Sequence, residues 1–355
     1  MIQSVSREID WYIYPSALDI ESDDQDFLLK QSHGSLFQSP LWSGLVEKGK
    51  APLVVIARQS DVTVFAAVVE RHFIPKTKYF SALVRRGPVF SDSELALSLW
   101  PAFEKQLISI GAFRLSVFPY WEREDLQPLE QSLTNQGYTL DNTVTTHQHS
   151  ATIDLAPELD KILMTSVSSK TRNMIRKGDK LGVVTRLIAN EQELEKFWKM
   201  HRTTCIKKGS EGPDLAMFMN IWRLSEQHPG SCACVIAELE NEMIGGCIIL
   251  RHGERAVYTW GSSTDIPMKG VPKTELVLWA SIAWAKEAGL SLFDLGGITP
   301  DAEKGSAAAG INRFKKGFSS HFIELFPAYC KVFNMPVDKI YSLLKQVMAF
   351  FRNSK

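Results

Sequence analysis

No stretch of this 355-residue sequence approaches the ~18 consecutive apolar residues that span a bilayer, so no membrane-crossing helix is expected. Net charge is missing as well. Forty Lys and Arg offset forty Asp and Glu, so no global field draws the chain to nucleic acid or to an anionic surface, and any such binding must be local. Cysteine is sparse and odd in number: Cys205, Cys232, Cys234, Cys247 and Cys330. The opening MIQSVSREIDWYIY has neither a cationic n-region nor an apolar h-region. Both features predict reduced thiols in a cytoplasmic protein. Within SCACVIAEL, alternation puts Cys232 and Cys234 on one strand face with no histidine nearby in sequence, so they read as core and no metal is expected. Also absent are GxSxG, HExxH and a Walker GxxxxGK[ST] loop. A serine triad, a zinc-hydrolase helix and a P-loop are thereby excluded at the level of motif.

The sequence does contain one order of elements twice. After a strand at Trp11 to Ile13, a helix near Asp23 to Gln31 and a helix start at Pro40 (with Leu41, Trp42 and Leu45 on one face), the pattern turns to β. PLVVIAR and VTVFAAVVERHF form a hairpin, and YFSALVRRGPVF is the next strand. A helix follows from Ser93 to about Ser109, with Leu95, Leu99, Phe103 and Leu107 spaced by four. The strand FRLSVFP, a helix ended by Gly137 and the alternating HQHSATIDL close this half. The second half repeats the order with CACVIAELE, MIGGCIILRH, ERAVYTWGSS, the helix ELVLWASIAWAKEAG, LSLFDLGG, INRFKKGF and SHFIELF. Such a repeat argues for internal duplication, and its order is that of the GNAT acyltransferase fold. The fold class expected is α/β, two tandem GNAT-like domains with mixed sheets flanked by helices. The domains are placed at 1–155 and 156–325, facing each other across a cleft, with a tail at 326–355.

The most informative stretch is FDLGGITPDAEKGSAAAGINRFKKGF, from Phe293 to Phe318. Asp294 sits inside an apolar run, the Gly296-Gly297 pair permits positive φ or close approach, and Phe314-Lys315 opens a basic turn. The bland account has Asp294 capping a turn, the glycines ending a strand and Lys315 snorkelling at the surface. The order (F/Y)DLGG, loop, GxxxFKxxF resembles the second domain of the FemABX family, bacterial transferases that add amino acids to the peptide of cell-wall precursors. The QSPxW stretch at Gln38 to Trp42 resembles that family's first domain.

This resemblance implies catalysis by Lys315, which would polarise the carbonyl of an activated aminoacyl ester, with Phe314 fixing the backbone beneath it. Asp294, Tyr258 and Trp260 would orient donor or acceptor, although each is also an ordinary core residue type. Arg85 and Arg86, before a Gly-Pro turn, form a pair suited to a phosphate or carboxylate. Lys273, in the loop before a helix, could meet an anion, and Arg172 and Arg176 lie on a basic helix that could meet tRNA phosphates or an anionic head group. Each of these basic residues is also readable as a solvated surface residue, the commoner outcome for the arginines. The bridging helices, too short for a sustained coiled coil, resemble the family's armless branch.

No bound cofactor is implied. Aminoacyl-tRNA is the expected co-substrate and an envelope precursor the acceptor, by direct transfer without covalent intermediate or metal. The alternative is an acyl-CoA-dependent N-acyltransferase acting on an amino sugar of envelope polysaccharide, although the loop GSSTDIPMKGVPKTE lacks the glycine pattern that usually holds the CoA pyrophosphate. A third reading is a non-catalytic binding module of the same fold. Trp42 is followed by Ser43-Gly44 instead of the lysine that the family's nucleotide-peptide users carry, which puts a nucleotide-linked acceptor in doubt. By resemblance the tail folds back on the first domain, burying a stripe of Val337, Ile340, Leu344, Val347 and Phe351. A helix lying on the inner membrane surface is the alternative, since Lys339, Lys345, Arg352 and Lys355 flank the stripe. Oligomeric state is not legible.

Overall fold

A computed structural model describes residues 8–16, 19–43, 52–144 and 147–353, the side chains of 348–353 excepted. Gly44, Leu45 and the Phe351 side chain, which the sequence reading used, therefore lie outside the described residues. The chain divides into two compact units. Among the described residues, the first holds everything before 145 together with 325–353, and the second holds 147–324.

The first unit begins with β1 (Ile9–Tyr14), α1 (Ser22–Lys30), the hairpin β2 (Leu53–Gln59) and β3 (Val62–Phe73), β4 (Phe80–Arg85) and β5 (Val89–Phe90). It continues with α2 (Ser93–Ser109), β6 (Ala112–Phe118), α3 (Gln127–Asn135) and β7 (Thr139–Leu140). The second unit runs β8 (His149–Asp154), α4 (Leu159–Thr165), α5 (Ser169–Lys180), β9 (Val184–Leu187), α6 (Glu191–Lys207), α7 (Leu215–Gln227) and the hairpin β10 (Cys232–Leu239) and β11 (Glu242–His252). Then come β12 (Arg255–Ser263), α8 (Glu275–Glu287), β13 (Leu292–Gly297), α9 (Ala307–Lys316) and β14 (His321–Glu324). The chain returns to the first unit with β15 (Tyr329–Val332) and α10 (Met335–Asn353).

Each unit holds one mixed sheet, and the two sheets follow the same plan. In the first the order is β1-β2-β3-β4-β6-β15-β7, and in the second it is β14-β8-β13-β12-β11-β10-β9. An antiparallel hairpin leads to a strand, a crossover helix and a parallel partner: β4 beside β6, β12 beside β13. Alternation drives this arrangement. In β10 and β11, Val235, Cys247 and Ile249 join one core cluster while Ile236 and Ile248 are fully buried on the opposite face. The helices cover both faces, α2 supplying Leu99, Phe103 and Leu107 to the first core and α8 supplying Leu276, Ile282 and Ala285 to the second. The Gln38 side chain latches the first sheet: its amide accepts from Val68 N (2.8 Å) and donates to Val68 O (3.2 Å) and Arg85 O (2.9 Å), as a short extra strand would. A Cβ at Gly87 would lie 2.4 Å from that side chain, which explains the glycine there.

Two placements depart from the sequence reading. HQHSATIDL, read as the end of the first half, supplies β8 to the second sheet, where it fills the position between β13 and β14. The matching position of the first sheet, between β6 and β7, is filled by β15 from the end of the chain. Period-2 alternation states which face of a strand is buried and is silent about its partner. The second departure is α10. Its stripe is turned outward, with Ile340 55%, Leu344 38% and Val347 45% exposed and only Val337 half-buried. What anchors the helix is the other side, where Tyr341 stacks edge-on against Phe113 at 5.1 Å and Asp338 pairs with Arg114 at 3.3 Å.

Candidate active site

The parallel ladder between β12 and β13 covers three pairs, Arg255↔Leu292, Ala256↔Phe293 and Val257↔Asp294. Beyond them β12 runs on to Ser263 without β13 as a partner. A bulge at Thr259 separates Tyr258, opposite Ile249, from Trp260, opposite Ile248. The extra residue sends the two aromatic rings to different faces. Tyr258 packs on the core that α8 covers, and burial pushes its phenol well above the ordinary range, so it stays protonated. Trp260 meets Phe218 of α7 at 5.9 Å, beside the buried pair His201 Nδ1 and Ser262 Oγ at 2.8 Å. A Cβ on Gly261 would lie 1.6 Å from the Tyr258 hydroxyl, so glycine is what lets that ring sit where it does.

Where the ladder ends, β13 delivers Asp294, fully buried. Its carboxylate accepts from Gly296 N (2.7 Å) and from Ser150 Oγ of β8, and that hydroxyl also lies 2.9 Å from the Gly296 carbonyl. Gly296 takes φ +79°, which curls the chain so that the Gly297 carbonyl meets α9. Lys315, 8% exposed, donates from Nζ to Gly297 O at 2.6 Å. Burial pulls its ammonium down to about 8 from the ordinary lysine value, against the raising effect of the Asp294 charge. A cation that is held in a dry pocket and titrates near working pH can stabilise a developing oxyanion far better than a solvated lysine can. Phe314, half-buried, packs on the same core and meets Phe318 at 5.5 Å, which fixes the turn that carries Lys315. Lys316 points outward over Phe322 at 5.4 Å.

The sequence pattern alone does not single out the polar residues of β8. Ser150 and Thr152 alternate with the core residues Ala151 and Ile153; the Thr152 carbonyl accepts from Ser319 Oγ and its hydroxyl pairs with His321 Nδ1 at 2.8 Å. His147 lies against Gly297, its ring atoms occupying the space a Cβ there would need. Buried hydroxyls at every second position of a strand were the available signal, since such groups need partners.

The sequence matches the FemAB family over residues 21–240, well over half of the chain, and the acetyltransferase (GNAT) domain over 165–316. The chain belongs to the FemAB family. The aminoacyltransferase FemA of Staphylococcus epidermidis is 34% identical over 102 residues, 29% of this chain and 24% of that protein. The lipid II:glycine glycyltransferase of Staphylococcus aureus is 25% identical over 124 residues, 35% of this chain and 26% of that one. These matches thus span about a quarter of the length of each relative. In fold, this FemAB family member resembles a crystal structure of FemX over 90% of its own chain and 98% of the other, with a TM-score of 0.79 at 16% identity. A tandem GNAT protein from the clavulanic acid biosynthesis pathway aligns over 92% and 99%, with a TM-score of 0.54 at 11% identity.

The second unit of this FemAB fold brings Lys315, Phe314, Asp294 and Tyr258 to the end of one strand pair, with Trp260 on the opposite face of β12. The other basic residues are placed differently. Lys273 turns back on its own loop, donating to the carbonyls of Thr264 (2.9 Å) and Ile266 (2.5 Å), so it closes that loop instead of facing an anion. Arg172 donates to the carbonyls of Met164 (3.1 Å) and Val167, capping α4. Arg176 is exposed, as are Lys170, Lys177 and Lys180. The start of α5 lies near the site, because Ser168 N donates to Gly317 O at 2.8 Å. In the first unit, Arg85 is held by Glu70 (2.9 Å), and Arg86 is buried with its guanidinium 4.6 Å from the Tyr120 ring centre. Arg85 is therefore a structural cation rather than an open anion clamp.

Proposed function

We propose that this FemAB family member transfers an aminoacyl group from aminoacyl-tRNA to an amine of a cell-wall precursor, with the Lys315 ammonium as the oxyanion donor. In the step, the amine nitrogen attacks the ester carbonyl, a C–N bond forms, and the bond to the ribose oxygen breaks. The proton lost by the amine leaves with that oxygen, so no oxidant, metal or enzyme-bound acyl group enters the balance. The observation that carries the reading is the buried Lys315 Nζ, 2.6 Å from Gly297 O beside the end of the β12–β13 ladder. Gly297 takes one of its three N–H bonds, and two serve the substrate. The activities that name the relatives, aminoacyl transfer and glycyl transfer to lipid II, support the same chemistry and favour a lipid-linked acceptor at the membrane surface. Exposed Lys170, Arg176, Lys177 and Lys180 on α5 suit the phosphates of the donor.

A second reading, transfer from an acyl-CoA to an amino sugar, draws on the match to the acetyltransferase (GNAT) domain. Against it stands the loop after β12, where Lys273 is engaged by two carbonyls and no glycine-rich cradle offers amides to a pyrophosphate. The test is initial-rate transfer with charged tRNA and a precursor amine, run beside acetyl-CoA and an amino sugar. Lys315→Ala should slow tRNA-dependent transfer by about 10²–10³, Lys315→Arg should recover part of it, and Lys316→Ala should change little. The wild-type rate should fall as pH rises through about 8, where the ammonium is lost, and Lys315→Arg should lack that limb. Transfer from acetyl-CoA alone, or full activity in Lys315→Ala, overturns the reading.

A further inference from the structure

We propose that the outward face of α10 docks on an anionic lipid bilayer. This deepens the proposed function and rests on its lipid-linked acceptor, by naming what holds the enzyme at the surface where that acceptor lies. A helix at the surface of a globular unit normally turns its apolar stripe inward. In α10 the arrangement is reversed. Ile340, Leu343, Leu344 and Val347 recur at helical spacing and are 55%, 62%, 38% and 45% exposed, while Tyr341 and the Asp338–Arg114 pair face the sheet. A continuous exposed apolar row of this kind marks an interaction surface.

Charge selects the partner. The one acidic residue of α10, Asp338, is buried and paired, whereas Lys339 is exposed beside the stripe and Lys345, exposed as well, lies on the Tyr341 side with its ammonium 4.8 Å from that ring centre. The turn between β3 and β4 packs with Tyr341 and Val337 through Ile74 and Tyr79, and it carries the exposed Lys76 and Lys78. An exposed apolar row on a helix that, with the turn packed beneath it, carries four exposed lysines and no exposed acid complements phosphate head groups above acyl chains. A second copy set on the same face would bring like charges together, which disfavours self-association through it. No helix among the described residues is long and apolar enough to cross a membrane, so α10 would lie in the interface.

The test is co-sedimentation of the full chain with phosphatidylglycerol/phosphatidylcholine vesicles, without donor or acceptor present. The wild type should bind these vesicles, and bind pure phosphatidylcholine much less. Leu343→Glu/Val347→Glu, both at exposed positions, should weaken binding by about tenfold or more. Lys339→Gln/Lys345→Gln should weaken it less and flatten its salt dependence. Circular dichroism should report an unchanged fold, and transfer to a lipid-free precursor amine should be unchanged in both variants. Absence of vesicle binding, or equal binding by all three proteins, overturns the inference. So does a wild-type dimer, seen by sedimentation velocity, that the glutamate variant dissociates. Because vesicle binding is read without substrates and transfer without lipid, failure of the docking surface and failure of the proposed chemistry are separately visible.

Discussion

Replacing Lys315 with methionine should make the protein more stable at neutral pH while removing its activity. Methionine is unbranched and of similar length, so it fills the lysine's space without a charge. In the folded chain the ammonium is lowered to about 8 from an ordinary 10.5, which corresponds to about 3 kcal/mol against the charged form. The sign follows from linkage. The folded state holds this proton less tightly than the unfolded one, so the penalty is fully present below about pH 8 and disappears as pH rises towards the unfolded value. Methionine removes that penalty but leaves Gly297 O without its 2.6 Å donor, a loss of about 1 kcal/mol. The net expectation is a gain of about 2 kcal/mol at pH 7, turning into a small loss above the ordinary lysine pKa. Urea denaturation of both proteins at pH 7 and near pH 10 measures it, since groups common to the two cancel in the difference. A variant less stable than wild type at pH 7, or a difference that does not change with pH, would show that Lys315 is not a cation held against its solvation.

The other expectations concern the same unit. Asp294→Asn removes the charge that raises the Lys315 pKa, so the alkaline limb of the pH–rate profile should move below its wild-type position near 8; an unmoved limb would mean that another group titrates there. Gly261→Ala places a Cβ 1.6 Å from the Tyr258 hydroxyl and should lower stability by about 1–3 kcal/mol in thermal melts. Tyr258→Phe should recover only part of that, since the ring carbon behind the hydroxyl is itself 2.4 Å away. Glu193, held down to about 2 by the Arg186 guanidinium that also grips Glu238, contributes stability that is present above the ordinary glutamate pKa and is lost as pH falls through about 2. Glu193→Gln should therefore flatten the acid limb of stability by about 1 kcal/mol, given the partial exposure of the pair; equal acid sensitivity in both proteins would mean that the pair contributes nothing.

Much of the fold was legible because it depends on periodicity. The hairpins, the crossover helices α2 and α8, and the repetition of one order in two halves follow from apolar spacing that any reader of the chain can count. The site was legible through Gly296, Gly297 and Lys315, residue types whose backbone freedom and charge are rarely placed together in an apolar run. Partners were not legible. Charge is visible in the sequence, but the carbonyls that hold Lys273, the Glu70 that holds Arg85 and the helix end that Arg172 caps come together only on folding. Likewise the stripe of α10 is visible as a pattern, while the choice of which side packs was made by Tyr341 and Asp338 through their partners Phe113 and Arg114. Ser150 carries no signal of its own in the sequence, because its value lies in a contact with Asp294, 144 positions away in the chain.

The exchange of β8 and β15 bears on how the chain emerges from the ribosome. The first sheet lacks its strand between β6 and β7 until residues 329–332 appear, after the whole second unit has been made. At translation rates of about 5–20 residues per second, the roughly 190 residues between β7 and β15 take on the order of 10–40 s. During that interval β6 presents an unpaired edge, with Leu115 and Val117 on it, to whatever is nearby. The second unit faces no such wait, since β8 is already outside when β13 and β14 arrive. The nascent protein should therefore complete its second unit first and its first unit last.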